Sequence, residues 1–211
     1  MCIRDRDLPP ADRDRFAKII YDEAGRLTRL LDDLLDLSVL ESGQAQLSIT
    51  PANLHDLIER ALSAASATRP ERVFRVDREP LAEYVGVITD PDRLLQVLIN
   101  VISNARKYCD AEPPVLAIRV RRTLRGGAQI DIIDNGSGIE TARQALIFEK
   151  FARLNDPARA GGAGLGLAIC REIMANLGGE ITYLPGQGGA AFRIVLPRRP
   201  PVPVNAGLRR A

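Results

Sequence analysis

Apolar residues follow three rhythms along this chain, and each predicts a different kind of element. Between residues 12 and 42, Ile20, Ala24, Leu27, Leu31 and Leu34 recur in steps of four and three, the seam of a coiled coil or helical bundle. Leu30, Leu35 and Leu37 widen that stripe beyond a two-stranded seam and favour a four-helix bundle. Pro9 and Pro10 precede the helix and Gly43 is its stop signal. At about 1.5 Å rise per residue it would be roughly 45 Å long. So much apolar face needs a partner, and no second helix of matching length can be read in the sequence.

Past "ESGQAQLSITP" the period shortens. A helix is predicted over residues 54–67, capped by Asn53, followed by strand-like "RVFRVD" and "YVGVI". A second amphipathic helix runs over residues 91–108, with Asp90 as N-cap and Pro91 at its first position. "VLAIRVRRTL" and "AQIDIIDNG" alternate as paired strands around a turn at Arg125, Gly126 and Gly127. A loop-rich segment over 140–163 leads to a helix over 165–177, and "GEITYL" and "AAFRIVL" supply two last strands joined through "PGQGG". This order predicts an α+β fold, a sheet with helices on one face, preceded by the long helix. The tail over 198–211 is proline-rich and expected to be disordered. The opening "MCIRDR" extends no pattern and reads as a non-native leader over 1–11, on a chain truncated before its start.

Composition narrows the functional classes. The chain has 211 residues, 45% hydrophobic and 27% charged, enough for a packed domain and an appendage. A net charge of +2 argues against a nucleic-acid-binding surface as the main function. No apolar run has the length of a membrane span. Three cysteines, Cys2, Cys109 and Cys170, without C-x-x-C spacing, fit reduced thiols in a cytoplasmic setting and no zinc site.

Three stretches carry chemistry. On the 91–108 helix, Gln96, Asn100, Ser103, Asn104 and Lys107 form one polar stripe opposite the apolar side. A solvated face would show the same spacing. Two asparagines in register, both poor helix formers, suggest a chemical role as the other reading. Their amide oxygens suit a hard cation such as Mg²⁺, and Lys107 suits a phosphate. In "IDIIDNGSGI", strand parity places Asp134 on the core side with Ile130 and Ile132. An inward carboxylate needs a donor, and the exocyclic amine of adenine is one; Gly136 and Gly138 would let the backbone turn beside a ligand. An ordinary Asp-Asn-Gly turn is the plainer alternative. "GGAGLGLAI" leads into a helix, whose N-terminal amides attract phosphate, although the run matches neither the P-loop nor the dinucleotide fingerprint.

Order and spacing of these stretches resemble the ATP-binding catalytic domain of sensor histidine kinases, of the type shared with gyrase. "QVLINVISNARKY" is similar to that family's N-box, "DNGSG" to its G1 box, "FEKF" to its F-box and "GAGLGL" to its G2 box, while "GQGGAAFRIVLP" resembles the closing hairpin. "RLTRLLDDLLDLSVLESG" resembles the second helix of the dimerisation and phosphotransfer domain. The resemblance implies a two-layer α/β sandwich over 44–197, a partial phosphotransfer helix over 12–43, and ATP and Mg²⁺ as ligands. It implies Asn104 as principal metal ligand with Asn100 assisting, Lys107 near the phosphates, Tyr108 beside the adenine and Asp134 on its amine. Gly136 and Gly138 would shape the adenine wall, and Gly162, Gly164, Leu165 and Gly166 the phosphate side. Residues 152–163 would form a lid in which Arg153 or Arg159 touches the γ-phosphate, with Phe148 and Phe151 anchoring it by packing. Ala163 stands where the family often has a hydroxyl. Where hydrolysing relatives carry a glutamate base, this chain has Asn100, which suits transfer to an external nucleophile.

The substrate histidine is missing. No H-box occurs, and the only histidine, His55, sits past the bundle helix. The expected activity is therefore transfer to a histidine on another helix, in a homodimeric parent that passes phosphate to a response-regulator receiver domain. A non-enzymatic ATP-binding signalling module acting through the long helix is the competing expectation, and a serine kinase of the anti-sigma type a weaker third.

Overall fold

The computed structural model describes residues 9–68, 74–78, 85–152 and 164–200. The expected leader, but for its last residues, and most of the proline-rich tail lie outside them. Helix α1, Pro10–Glu41, starts on Pro9 and Pro10. It stops where Gly43, at φ 66°, donates its N–H to the Leu40 carbonyl. Its apolar residues fall on two faces. Ile20, Leu27, Leu31 and Leu35 are exposed, whereas Leu30 and Leu34 are partly buried and Leu37 and Leu40 fully so. The expected seam is thus mostly outside the core, and the face that packs lies roughly a quarter turn round the helix.

Then follow β1 Thr50–Asn53, α2 Leu54–Thr68, β2 Arg75–Arg78, β3 Gly86–Thr89 and α3 Pro91–Tyr108. The chain continues through β4 Val115–Arg122, β5 Ala128–Asp134, the single turn α4 Thr141–Gln144, α5 Gly166–Asn176, β6 Glu180–Tyr183 and β7 Ala191–Leu196. Five strands form one sheet in the order β2-β4-β5-β7-β6, with β2 parallel to β4 and the other neighbours antiparallel. β1 and β3 make a separate antiparallel pair. Nothing in the sequence marks β1, because "TPAN" carries proline and no alternation.

Capping chemistry sets the helix starts as the sequence predicts. Asn53 Oδ1 accepts the His55 amide at 3.0 Å. Asp90 Oδ1 accepts the amides of Asp92 and Arg93, each at 3.1 Å, while Asp90 Oδ2 takes the Ser48 amide at 2.7 Å and pins the segment after α1. Helices α2, α3 and α5 form the second layer. Leu94, Val97, Leu98, Val101 and Ile102 of α3 are wholly buried, with Ile118, Ile130 and Ile194 of the sheet. Each such side chain contributes about 1.5–3 kcal/mol on leaving water.

The C-terminal half of α1 is fixed to this layer. Arg93 Nη1 donates to both carboxylate oxygens of Asp36, at 2.7 and 2.9 Å, and to Gln96 Oε1 at 3.0 Å; Gln96 Nε2 donates to Asp36 Oδ2 at 2.9 Å. Lys150 pairs with Glu41 at 2.6 Å, and Asn176 donates to the Leu40 carbonyl at 3.3 Å. The polar stripe of α3 is therefore divided, since Gln96 holds α1. Among the described residues, no helix is long and apolar enough to cross a membrane.

Candidate functional site

Asp134 ends β5, 5% exposed, on the side predicted by parity. Its Oδ1 accepts the amides of Gly136 and Ala190, both at 2.9 Å, so backbone donors supply part of what the sequence reading assigned to a ligand. Its own amide donates to the Ala190 carbonyl. A Cβ on Gly189 would collide with the Asp134 carbonyl oxygen, so only glycine lets the β6–β7 hairpin close over this residue.

The loop after Asp134 is held from three sides. Asp110 Oδ1 accepts the Ser137 amide at 2.7 Å. Asn135 Oδ1 accepts the Val115 amide at 2.8 Å, and its Nδ2 donates to the Pro113 carbonyl at 3.0 Å. Tyr183 Oη accepts the Ile139 amide at 3.2 Å, beside Gly138. The Tyr183 ring meets Phe192 edge to face at 5.7 Å, and Phe192 meets Phe148 likewise at 6.3 Å. Phe148 thus packs against the sheet. Phe151 does not: it is 56% exposed and left-handed, at φ 62°.

The α3 stripe supplies the second cluster. Asn100 Nδ2 donates to the Gly166 carbonyl at 3.4 Å, and a Cβ on Gly166 would stand 3.7 Å from the Asn100 amide. Cys170, one turn further along α5, is buried beneath; burial pushes its thiol up to about 12, a neighbouring bond with Asn100 opposing. Asn104 and Lys107 are half-buried, and the Lys107 ammonium lies 4.7 Å from the centroid of the half-exposed Tyr108 ring. Leu165, fully buried at the cap position of α5, has no polar side chain to take the first amides of that helix. Gly164, at φ 74°, receives the Phe151 amide at 3.0 Å on its carbonyl, and a Cβ there would crowd the Ala152 carbonyl at 2.9 Å.

Helix α3 joins the clusters. Asn100 meets Gly166 midway along it, and Cys109, just past its end, lies against Gly136. Eight residues of helix between Asn100 and Tyr108 span about 12 Å. Arg153, Arg159 and Gly162, and with them most of the expected lid, lie outside the described residues. Asp110, Tyr183 and Gly189 escaped the sequence reading: only strand register and loop contacts reveal them, although the glycine-rich "PGQGG" marked the hairpin. Among the described residues, no group of three or more His, Cys, Asp or Glu could hold a metal ion. The available donors are amide oxygens. That set fits Mg²⁺, which keeps several waters and leans on phosphates more than on a protein cage.

This architecture defines the class. The sequence model described as histidine kinase-, DNA gyrase B-, and HSP90-like ATPase matches residues 89–200, and the chain belongs to that family. Among its relatives, the circadian input-output histidine kinase CikA of Synechococcus elongatus is 34% identical over 90% of this chain and 26% of its own length. The sensor protein KdpD of Escherichia coli is 35% identical over 88% of this chain and 20% of its own. Full-length ShkA in complex with AMPPNP superposes with a TM-score of 0.73 at 26% identity, covering 95% of this chain and 42% of that one. The chain thus spans about a quarter or less of the two curated relatives.

Proposed function

We propose that this chain is the ATP-binding catalytic portion of a sensor histidine kinase, which holds magnesium–ATP and passes its γ-phosphoryl group to a histidine on a bundle helix. The observation that carries the reading is the joining, along one helix, of a framed buried carboxylate to the Asn100 amide beside an uncapped helix start, with Asn104 one turn further along the same helix. Family membership and relatives named as histidine kinases support the same reading.

In this reading the adenine amine donates to Asp134, whose orientation is fixed by the Gly136 and Ala190 amides. Tyr108 covers the purine edge, and Gly136 and Gly138 shape the wall. Asn104, assisted by Asn100, holds Mg²⁺, which would neutralise charge on the phosphates. Lys107 and the amides following Gly164, Leu165 and Gly166 hold the phosphate chain. The resemblance adds Gly162, and Arg153 or Arg159 at the γ-phosphate. Asn100 lacks the basicity to activate water, so the bound triphosphate waits for an external nucleophile. His55, exposed on the first turn of α2, is not that nucleophile. Residues 44–197 form the nucleotide-binding unit, and α1 belongs to a bundle shared between two copies in the parent. There the product histidine supplies a response-regulator receiver domain in the cytoplasm.

Titration with an ATP analogue, with Mg²⁺ and with EDTA, tests the site. Transfer from ATP to a histidine-bearing helical bundle supplied in trans tests the activity. Tight Mg²⁺-dependent binding and acid-labile phosphate on the bundle are expected. Binding without transfer to any bundle would leave the non-enzymatic module standing; acid-stable phosphate on a partner would favour a serine kinase; an Asp134→Ala variant binding as tightly as the parent would end the site assignment.

A further inference from the structure

In the proposed site Tyr108 and Asp134 face the adenine from separate segments, and the fold joins those segments just past the end of α3. Tyr108 is the last residue of that helix, and the Cys109 amide still donates to the Ala105 carbonyl at 2.9 Å, so the chain stays rigid up to Asp110. From there Asp110 Oδ1 accepts the Ser137 amide at 2.7 Å. The preceding amide, of Gly136, goes to Asp134 Oδ1 at 2.9 Å. Neighbouring amides of one loop are thus held by two carboxylates, one from the strand end and one from the helix end. The approach is close: a Cβ on Gly136 would stand 3.0 Å from both the Cys109 Cα and Asp110 Oδ1. What glycine permits at 136 is the seating of the loop against the end of α3. Asn135 brackets the other side of the junction, accepting the Val115 amide and donating to the Pro113 carbonyl.

We infer that Asp110 is a positioning residue for nucleotide recognition: through the Ser137 amide it holds Gly136 against Asp134, and so fixes the acceptor of the adenine amine relative to the end of α3. The role rests on the proposed adenine site and belongs to a side chain that acts on the base through another residue. The bond from Gly136 to Asp134 spans two residues, the local turn that an Asp-Asn-Gly sequence forms by itself, and such a turn exchanges readily with other conformers. A second acceptor on the very next amide, brought from 27 residues away in the chain, removes that freedom before nucleotide arrives. Ordering the acceptor in advance raises affinity because binding has less left to order. The Ala190 amide reaches the same Asp134 oxygen, so loop and hairpin together set the direction of the carboxylate. Asp110 itself is exposed and adds little to the packed core, so its effect falls on recognition more than on stability.

Purine riboside triphosphate, which differs from ATP in lacking the exocyclic amine, isolates the acceptor. With the full chain and Mg²⁺, the parent should prefer ATP, and Asp134→Ala should abolish that preference, which tests the site itself. Asp110→Ala should weaken ATP binding about tenfold, the scale of a hydrogen bond to a charged acceptor, and binding of the amine-free analogue less than about threefold. The preference should therefore shrink. Asp110→Asn keeps an acceptor oxygen and should recover most of it. Thermal unfolding of both variants should stay close to that of the parent, which verifies that they fold. A parental preference in Asp110→Ala, alongside its loss in Asp134→Ala, would overturn the inference and leave the site standing. Equal weakening of both nucleotides, the mark of a general prop, would overturn it too, as would no recovery in Asp110→Asn. No preference in the parent would remove the adenine site and the role of Asp110 with it.

Discussion

Asp131 and Asp134 stand on one strand, 4% and 5% exposed, on opposite faces of the sheet, and they are satisfied in different ways. Asp131 meets its register partner Arg193, whose Nε and Nη2 donate to separate carboxylate oxygens at 2.7 and 2.8 Å; Gln129 adds a third bond. That pair also pushes the Arg193 guanidinium further up, chiefly through the hydrogen bond to Asp131. Asp134 meets backbone amides, and both land on Oδ1. A guanidinium uses a carboxylate's charge; two amides mainly fix its direction. Burial alone does not tell the two carboxylates apart, but the kind of donor does.

Four measurements sharpen or break this contrast. Asp134→Ala should weaken nucleotide binding about 100-fold, the scale for removing the acceptor of a buried ligand amine, with a smaller effect on stability. Asp131→Ala should reverse the pattern, costing about 2–4 kcal/mol of stability in denaturant titration with nucleotide affinity changed less than about twofold. Equal loss of affinity in both variants would erase the distinction. Next comes the frame itself: Tyr183→Phe removes the acceptor of the Ile139 amide and should cost about 1 kcal/mol, read as roughly a fivefold weaker nucleotide complex. The Phe192 contact survives in that variant, so a much larger loss would mean that the hydroxyl touches the ligand. An effect confined to alkaline pH concerns Cys170, whose thiol burial pushes up to about 12 from 9.0. Below pH 9 the proton stays on in both states. Between about 9 and 12 the unfolded thiol loses it first, so stability should fall with rising pH by up to about 1.4 kcal/mol per unit. Comparison with Cys170→Ala between pH 8 and 10 isolates that slope.

Much of the fold was legible because the chemistry behind it is local. Asn53, Asp90 and Pro91 set helix starts, and alternation in "AQIDIID" set the parity that buries Asp134. The four boxes could be read because their order and spacing together resemble one family's, although each alone is ordinary. What escaped depends on contacts between distant segments. Asp110 and Tyr183 look ordinary until register brings them to the loop over 135–139. Gln96 reads as one more member of the asparagine stripe until Asp36, sixty residues away, claims it. Periodicity on α1 showed a stripe wider than a two-stranded seam, but not which part of it the rest of the fold buries.

That last point bears on how such proteins can be recombined. Leu37 and Leu40 complete the hydrophobic interior of the nucleotide-binding unit from the final turns of α1, and Asp36 and Glu41 fasten them there. Splicing a foreign input domain onto this chain at the loop after Gly43 would strip two leucines from that interior. A graft joined near Arg29 would carry the native last turns along and keep that interior whole.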